Sequence, residues 1–487
     1  MKPTNILFTL SLVLSTSMAT YAQVGIGTAS PDASAALEIT STTKGLLPPR
    51  MTAFRRDAIA NPAQGLMIYC TNCGTNGEPQ YYNGLSWVNL IGGVRQGTQL
   101  NQVGADLVAE ASGDLFGYSI ATSSDGNIVI VGATNNDGGG NNSGHVRIYG
   151  YDSGLWNQLG ADIDGQAAFD EAGAAVSISD DGTIVAFGSP NGKNDTNIST
   201  GNVRVFKYIN SNWVQLGQNI NGLSDGDNFG GSVSLSADGQ TIAIGALVGG
   251  GAGPSSPGPG YVRVYQYDNS AQNWNLIGSQ IDGNTSDDQF GRSIALSSDG
   301  SIVAIGAPNN VNGYVKVYQF SSNAWTQLGQ YINGEALNDF FGKSVSISSN
   351  GTKVAVGAWW NDGGGSNSGH VRVYEYISGT WTQLGSDIDG EASGDVSGAS
   401  VSLSSDGAIV AIGAVGNDAG GISSGHVRIY KYESGAWTIV TSDIDGGATY
   451  GQLGYSVSIS SDGKTVAIGV PYLNNNSGHV RVFNYDL

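Results

Sequence analysis

From residue 98 onward the chain repeats one pattern of polar and apolar positions. A short run alternates small polar with branched apolar side chains, as in Ser400-Val401-Ser402-Leu403-Ser404, the period-two signature of a strand with two unlike faces. An Asp-Gly turn leads into Ala408 to Gly413, whose near-continuous apolar run suits a strand buried on both faces. A glycine-rich loop follows, then the alternating run Val427-Arg428-Ile429-Tyr430-Lys431-Tyr432, a short Ser-Gly turn and a fourth strand opening at Trp437. Asp-Gly or Asn-Gly pairs at Asp125, Asp181, Asp238, Asp299, Asn350, Asp406 and Asp462 are spaced by 56, 57, 61, 51, 56 and 56 residues, which makes seven units.

Four antiparallel strands per unit, seven units and no helical period predict an all-β fold, a seven-bladed β-propeller over residues 98–487. A single blade cannot bury both of its faces, whereas a closed ring packs each one between two neighbours. Strand one carries serine at alternate positions, for example Ser232, Ser234 and Ser236, or Ser456, Ser458 and Ser460. Side chains this small suit an innermost strand crowded around the axis. The last unit reaches only strand three, at Arg481 to Leu487, while Leu100 to Leu107 aligns with Trp381 to Ile388. Residues 100–107 are therefore expected to close the ring by pairing with 479–486.

Ahead of the repeats the texture changes. Residues 1–22 read as a signal peptide: Lys2, an apolar run from Ile6 to Val13, and small residues ending at Ala22. Residues 23–97 form a small β-rich segment that closes with Tyr81-Tyr82-Asn83-Gly84-Leu85-Ser86-Trp87, a hairpin signal. Gly92, Gly93 and Gly97 mark a linker. No later segment is long and apolar enough for a membrane span. A formal net charge of −20 repels nucleic acid and anionic membrane. The expected setting is secreted or cell-surface. In an exported chain the two cysteines, Cys70 and Cys73, read as a local disulfide; they are two ligands short of a zinc site.

The units resemble FG-GAP repeats, the blades of integrin α-subunits and of many bacterial surface proteins. Phe-Gly stands at Phe116-Gly117, Phe229-Gly230, Phe290-Gly291 and Phe341-Gly342, and Gly-Ala-Pro at Gly306-Ala307-Pro308. The resemblance implies a propeller. Calcium-binding members cluster several carboxylates between strands one and two, whereas here that connection is a Ser-Ser-Asp-Gly turn as at Ser123 to Gly126. One carboxylate is too few for a hard cation, so no metal or cofactor is expected. Residues 23–97 resemble the leader module of secreted and surface proteins of Bacteroidota, which implies a surface setting and self-association.

Three recurrent features bear on function. Asp114, Asp170, Asp227, Asp288, Asp339 and Asp395 each precede by three residues the glycine that opens strand one, a spacing that suits capping of the local turn. His145, His370, His426 and His479 all begin strand three in Ser-Gly-His-Val-Arg; equivalent positions on adjacent blades diverge, so packing or exposure is expected instead of metal binding. The third feature does not repeat. Unit five opens its strand-two-to-three loop with Trp359, Trp360, Asn361 and Asp362, and unit seven has Tyr472 nearby. These residues either stack on a sugar ring or anchor a protein partner, or they cover the blade edge. No catalytic constellation is visible. The expected function is non-catalytic binding or adhesion to an extracellular glycan or protein through the long-loop face. The alternatives are a polysaccharide lyase or glycosidase on the same fold, and a purely structural surface component.

Overall fold

In the structure, a computed structural model, the serine-rich runs form the inner strands of repeated antiparallel sheets. It describes residues 100–248 and 258–485 continuously and, ahead of them, 24–26, 37–41, 43, 46–60, 62–71, 73, 78–82 and 87–89. The signal peptide and linker expected from sequence, and most of the insertion at 249–260, lie outside the described residues. The chain divides into two compact units, Met1–Gln96 and Gly97–Leu487.

In the first unit Val24–Ile26 pairs in parallel with Leu37–Ile39, and Arg50–Met51, Met67–Cys70, Glu78–Tyr82 and Trp87–Asn89 form a second sheet. The last two strands pair from Tyr82 opposite Trp87, on either side of the expected hairpin turn. Ile68, Cys70 and Trp87 make its small core. Cys70 and Cys73 are joined by a disulfide with a Cα separation of 5.4 Å.

The second unit is a β-propeller. Among the described residues seven sheets run in order from strand one to strand four, here numbered as blades 1 to 7. Blade 5 comprises Phe341–Ile347, Lys353–Ala358, His370–Ile377 and Thr380–Gln383. Blade 7 comprises Ser456–Ile459, Thr465–Val470 and His479–Asn484, and takes its outer edge from Asn101–Gln102 and Leu107–Val108.

Serine and glycine hold neighbouring blades together at the inner strands. Ser344 Oγ donates to Gly398 O of blade 6 at 2.8 Å, Ser400 Oγ to Gly454 O of blade 7 at 2.7 Å, and Ser456 Oγ to Gly117 O of blade 1 at 2.8 Å. Each such bond contributes about 1 kcal/mol. The backbones approach closely: a Cβ on Gly357 would stand 2.2 Å from Gly398 O. The serines expected merely to be small are thus also donors that tie blade to blade.

The outer strand departs from the expected single piece. It breaks into a four-residue segment and a two-residue segment, both pairing with strand three, as Thr380–Gln383 and Ile388–Asp389 do with His370–Ile377. At the break, six blades carry a left-handed glycine that a tryptophan of the next blade covers, while blade 6 has Thr441 there and breaks likewise. At Gly329 (φ 74°) a Cβ would lie 2.9 Å from Trp381 Cδ1, and Trp381 Nε1 donates to Leu328 O at 2.8 Å. Trp156 Nε1 does the same to Val103 O at 2.7 Å, linking blade 1 to the N-terminal segment that edges blade 7.

Candidate functional site

At the end of the propeller where strand one begins, the blade-to-blade connections meet the loops that leave strand two. The amide of Trp360 donates to Asp339 O, and those of Asn135, Val248, Asn309 and Gly416 make the equivalent bond in their own blades. Around the axis the residue after the Phe-Gly position reads Tyr118, Ala174, Gly231, Arg292, Lys343, Ala399 and Tyr455; the position of Trp360 reads Asn135, Asn191, Val248, Asn309, Trp360, Gly416 and Tyr472. These two rings of positions vary from blade to blade, while the serine that follows the first of them recurs in six blades out of seven.

Blade 5 makes an aromatic wall. Trp359 and Trp360 stack with centroids 5.9 Å apart and 12° between planes, and Phe340 meets Trp360 edge-on at 4.8 Å. Trp360 is 41% exposed. Trp359 is half-buried, and its Nε1 is buried without a hydrogen-bond partner. Phe340 is held at φ 55°, a left-handed conformation shared by the equivalent residue of every blade, such as Leu115 at 57° and Val396 at 59°, so the turn belongs to the repeat and only its side chain is particular to blade 5. Blade 7 makes a second wall, in which Tyr455 lies 5.0 Å from Tyr118 and 5.6 Å from Tyr472. Blade 6, between them, has only Ala399 and Gly416 at the two positions. The aromatic residues thus stand on the blades either side of blade 6.

The cation Lys343 stands at the inner end of the blade 5 wall. It lines an axial channel of about 240 Å3 to which all seven inner strands contribute, including Ser119, Val176, Ser232, Ser293, Ser400 and Ser456. Its Nζ lies 4.1 Å from the Trp359 ring centroid, within cation–π range. Among the described residues no carboxylate forms an ion pair with it. Burial, and then the charge of Arg292 on blade 4, pulls its ammonium down to about 7. Burial, with the hydroxyls of Tyr118 and Tyr472 nearby, pushes the Tyr455 phenol up. No carboxylate stands among the described residues that line the channel.

Of the five residues singled out from sequence, Trp359 and Trp360 touch each other, and Tyr472 occupies in blade 7 the position that Trp360 has in blade 5. Asn361 and Asp362 belong to the loop's own frame. Asn361 is 3% exposed; its Nδ2 donates to Glu335 and Asp339, both at 2.8 Å, and its Oδ1 accepts from Gly363 N. Asp362 accepts from Asn367 N at 2.8 Å, as Asp137 does from Asn142 N. Sequence reasoning missed Phe340, Lys343, Arg292, Tyr118 and Tyr455. The signal that could have found them is the variation at one position of an otherwise repetitive strand.

The capping aspartates are buried. Asp395 accepts from Glu391 N and Ala392 N, and Asp170 from Ala167 N. The histidines are buried too, and each lies beside carboxylates of its own blade. Glu110-His145-Asp162, Glu335-His370-Asp387 and Glu391-His426-Asp443 bring their ligand-type atoms within 4.8 Å of one another. Each cluster already holds a cation, since Arg147, Arg372 and Arg428 each bridge the Glu and the Asp. Burial lowers the affinity of His145, His370 and His426 for a proton.

Comparison with known proteins supplies two family matches. The FG-GAP repeat matches residues 106–149 and 333–374, so the propeller carries FG-GAP repeats. A family described as a phage tail like trimerisation region matches residues 25–105. No curated protein matches the sequence. Among solved structures, similarity extends to a Bacteroides uniformis protein described as a 6-phosphogluconolactonase, with 12% identity over 77% of this chain and 93% of that one and a TM-score of 0.48. It extends also to the hydrazine synthase of Kuenenia stuttgartiensis, with 14% identity over 79% and 97% and a TM-score of 0.49.

Proposed function

We propose that this chain is an exported, non-catalytic binding protein of the cell surface that takes a glycan or protein partner on the long-loop face of its propeller. The observation that carries the reading is the exposed Trp360, stacked on Trp359 and met edge-on by Phe340, with Tyr472 of blade 7 at the position equivalent to Trp360 and Tyr455 beside it. Flat aromatic faces with adjacent polar groups suit stacking on a sugar ring or anchoring a partner side chain. The absence of carboxylates among the described channel-lining residues supports binding over glycoside hydrolysis at the channel, which in most families uses a carboxylate pair. Export rests on the sequence of residues 1–22. Self-association through residues 23–97 is part of the proposal, supported by the trimerisation-region match at 25–105; it would present three propellers together and raise avidity.

Glycan-array and pull-down binding of wild type and a Trp359→Ala/Trp360→Ala variant tests the surface. Binding by wild type with a loss of at least about tenfold in the variant is expected, on the scale of an interface anchor; equal binding by both removes this loop from the account. Sedimentation of the same wild-type sample alongside residues 98–487 reports the association state, expected to be higher for the full chain.

A further inference from the structure

Blade 7 keeps half of a polar network that blades 1 and 5 have whole, with the same residue types present in blade 6. In blade 5, Asn361 holds Glu335 and Asp339, and Arg372 bridges Glu335 and Asp387 next to the buried His370. Blade 7 retains the equivalent His479, Arg481 and Asp106, but Gly447, Gly451 and Leu473 stand where blade 5 has Glu335, Asp339 and Asn361. What remains there is a cavity of about 240 Å3 bordered by Gly447, Gly451, Leu473, His479 and Arg481.

The groups around it are left short of partners. Arg481 meets one carboxylate, through Nε to Asp106 Oδ2 at 3.3 Å, and its side chain is 27% exposed against 13% for Arg372. His479 is 3% exposed, and its buried Nε2 has no hydrogen-bond partner, a feature it shares with a ring nitrogen of His145, His370 and His426; Asp106 Oδ2 lies 3.9 Å away, so Arg481 is the group particular to this blade. Leu473 fills the room of the missing aspartate, since its Cδ1 would be 3.5 Å from a Cβ at position 451. The room of the missing glutamate is open, because nothing lies within 4 Å of a Cβ at position 447.

We propose that this cavity binds a small organic acid whose carboxylate takes, against the Arg481 guanidinium, the place that Glu335 holds against Arg372 in blade 5. A guanidinium with free N–H donors matches a carboxylate in both charge and shape. The protein's net charge of −20 and Asp106 oppose an anion at longer range, so recognition depends on these short contacts. The ligand is either a short-chain acid or a sugar acid, which share the carboxylate. The site uses neither Trp360 nor Lys343 and stands apart from the surface proposed above.

Propionate is the side chain that glutamate at 447 would have supplied, and it is the probe. Thermal unfolding of the full chain is followed at constant ionic strength, with chloride replaced by propionate or glucuronate and with propionamide as the uncharged control. A saturable rise in melting temperature with propionate or glucuronate, and none with propionamide, is expected; the acid that acts identifies the ligand type. Gly447→Glu, which fills the cavity from within, should unfold at a higher temperature than wild type without ligand and lose the response, and Arg481→Gln should lose the response as well. The proposal is overturned if neither acid acts on wild type, if propionamide acts equally, or if Gly447→Glu responds as wild type does.

Discussion

Lys343 shows best how one residue can depart from its repeat. Blades 2 and 6 have alanine at its position, so the blade does not need a cation there. Burial and Arg292 hold its ammonium down to about 7 from an ordinary value of 10.5, which means that the folded state disfavours the charge. Retaining such a group costs stability and marks function more than architecture. Lys343→Met, which keeps the packing over Trp359, is therefore expected to raise the denaturant midpoint. The sign follows from proton linkage: between pH 7 and 10.5 the unfolded chain keeps the lysine proton while the folded chain releases it, so wild-type stability rises with pH across that window. The advantage of Lys343→Met should be greatest below pH 7 and shrink toward pH 10.5. A variant less stable than wild type at neutral pH would show instead that the charge is structural. In the sequence this residue was hidden by its neighbours, because the repeating serines drew the eye to strand one as scaffold. Trp359 and Trp360 were legible because two adjacent tryptophans stand out in any loop.

Strand three shows the opposite case at the scale of an element, where repeated chemistry turns out to be frame. Asn361 and Asp362 looked like ligand-binding groups, yet Asn136-Asp137 and Asn417-Asp418 occupy the same turns, and their bonds go to the loop itself or, from Asn136, to the adjoining blade-to-blade connection. The histidines that begin strand three are likewise built in, and they carry a pH dependence. Burial lowers all four from the ordinary value of 6.5, His479 to about 4 with help from the charge of Arg481. Below pH 6.5 the unfolded chain takes up protons that the folded chain refuses, so stability falls as the pH drops from 6.5 toward about 4. The carboxylates Asp162 and Asp387, lowered against burial by hydrogen bonds from Arg147 and Arg372, add to the loss from about pH 5 downward. Blade 2 has Asn202 where blades 1, 5, 6 and 7 have histidine, which makes asparagine the natural replacement. A variant with His145, His370, His426 and His479 all changed to Asn should lose less stability than wild type between pH 6.5 and 4 in urea titrations. Parallel curves would assign the acid sensitivity elsewhere.

At the scale of the whole molecule, strand identity and order were legible because a period of two and an Asp-Gly turn are local signals repeated seven times. The broken outer strand was not, and neither was the contact made there in six blades, where a tryptophan from the next sheet settles on a left-handed glycine. Nor was the axial grouping, which forms only when residues more than 300 positions apart, Tyr118 and Tyr455, become neighbours. The same long-range logic bears on the segment 98–108. Asn101 and Gln102 pair with Asn484 and Phe483, Leu107 and Val108 with Val480 and His479, and Leu107 is buried in the core shared with Phe116 and Val482. Val103 supplies the acceptor for Trp156, and Asp106 the acid for Arg481. Loss of a buried leucine alone costs about 2–5 kcal/mol, and an unpaired strand-three edge adds exposed backbone donors and acceptors. Deleting 98–108 is expected to lower the melting temperature by roughly 5 °C or more and to promote association through the bared edge. Deleting 23–97 alone should leave the propeller's transition in place. The two deletions divide the trimerisation-region match at 25–105 between a part that completes blade 7 and a part that does not. Equal melting curves for the 98–108 deletion and wild type would mean that the ring is held without its N-terminal strand.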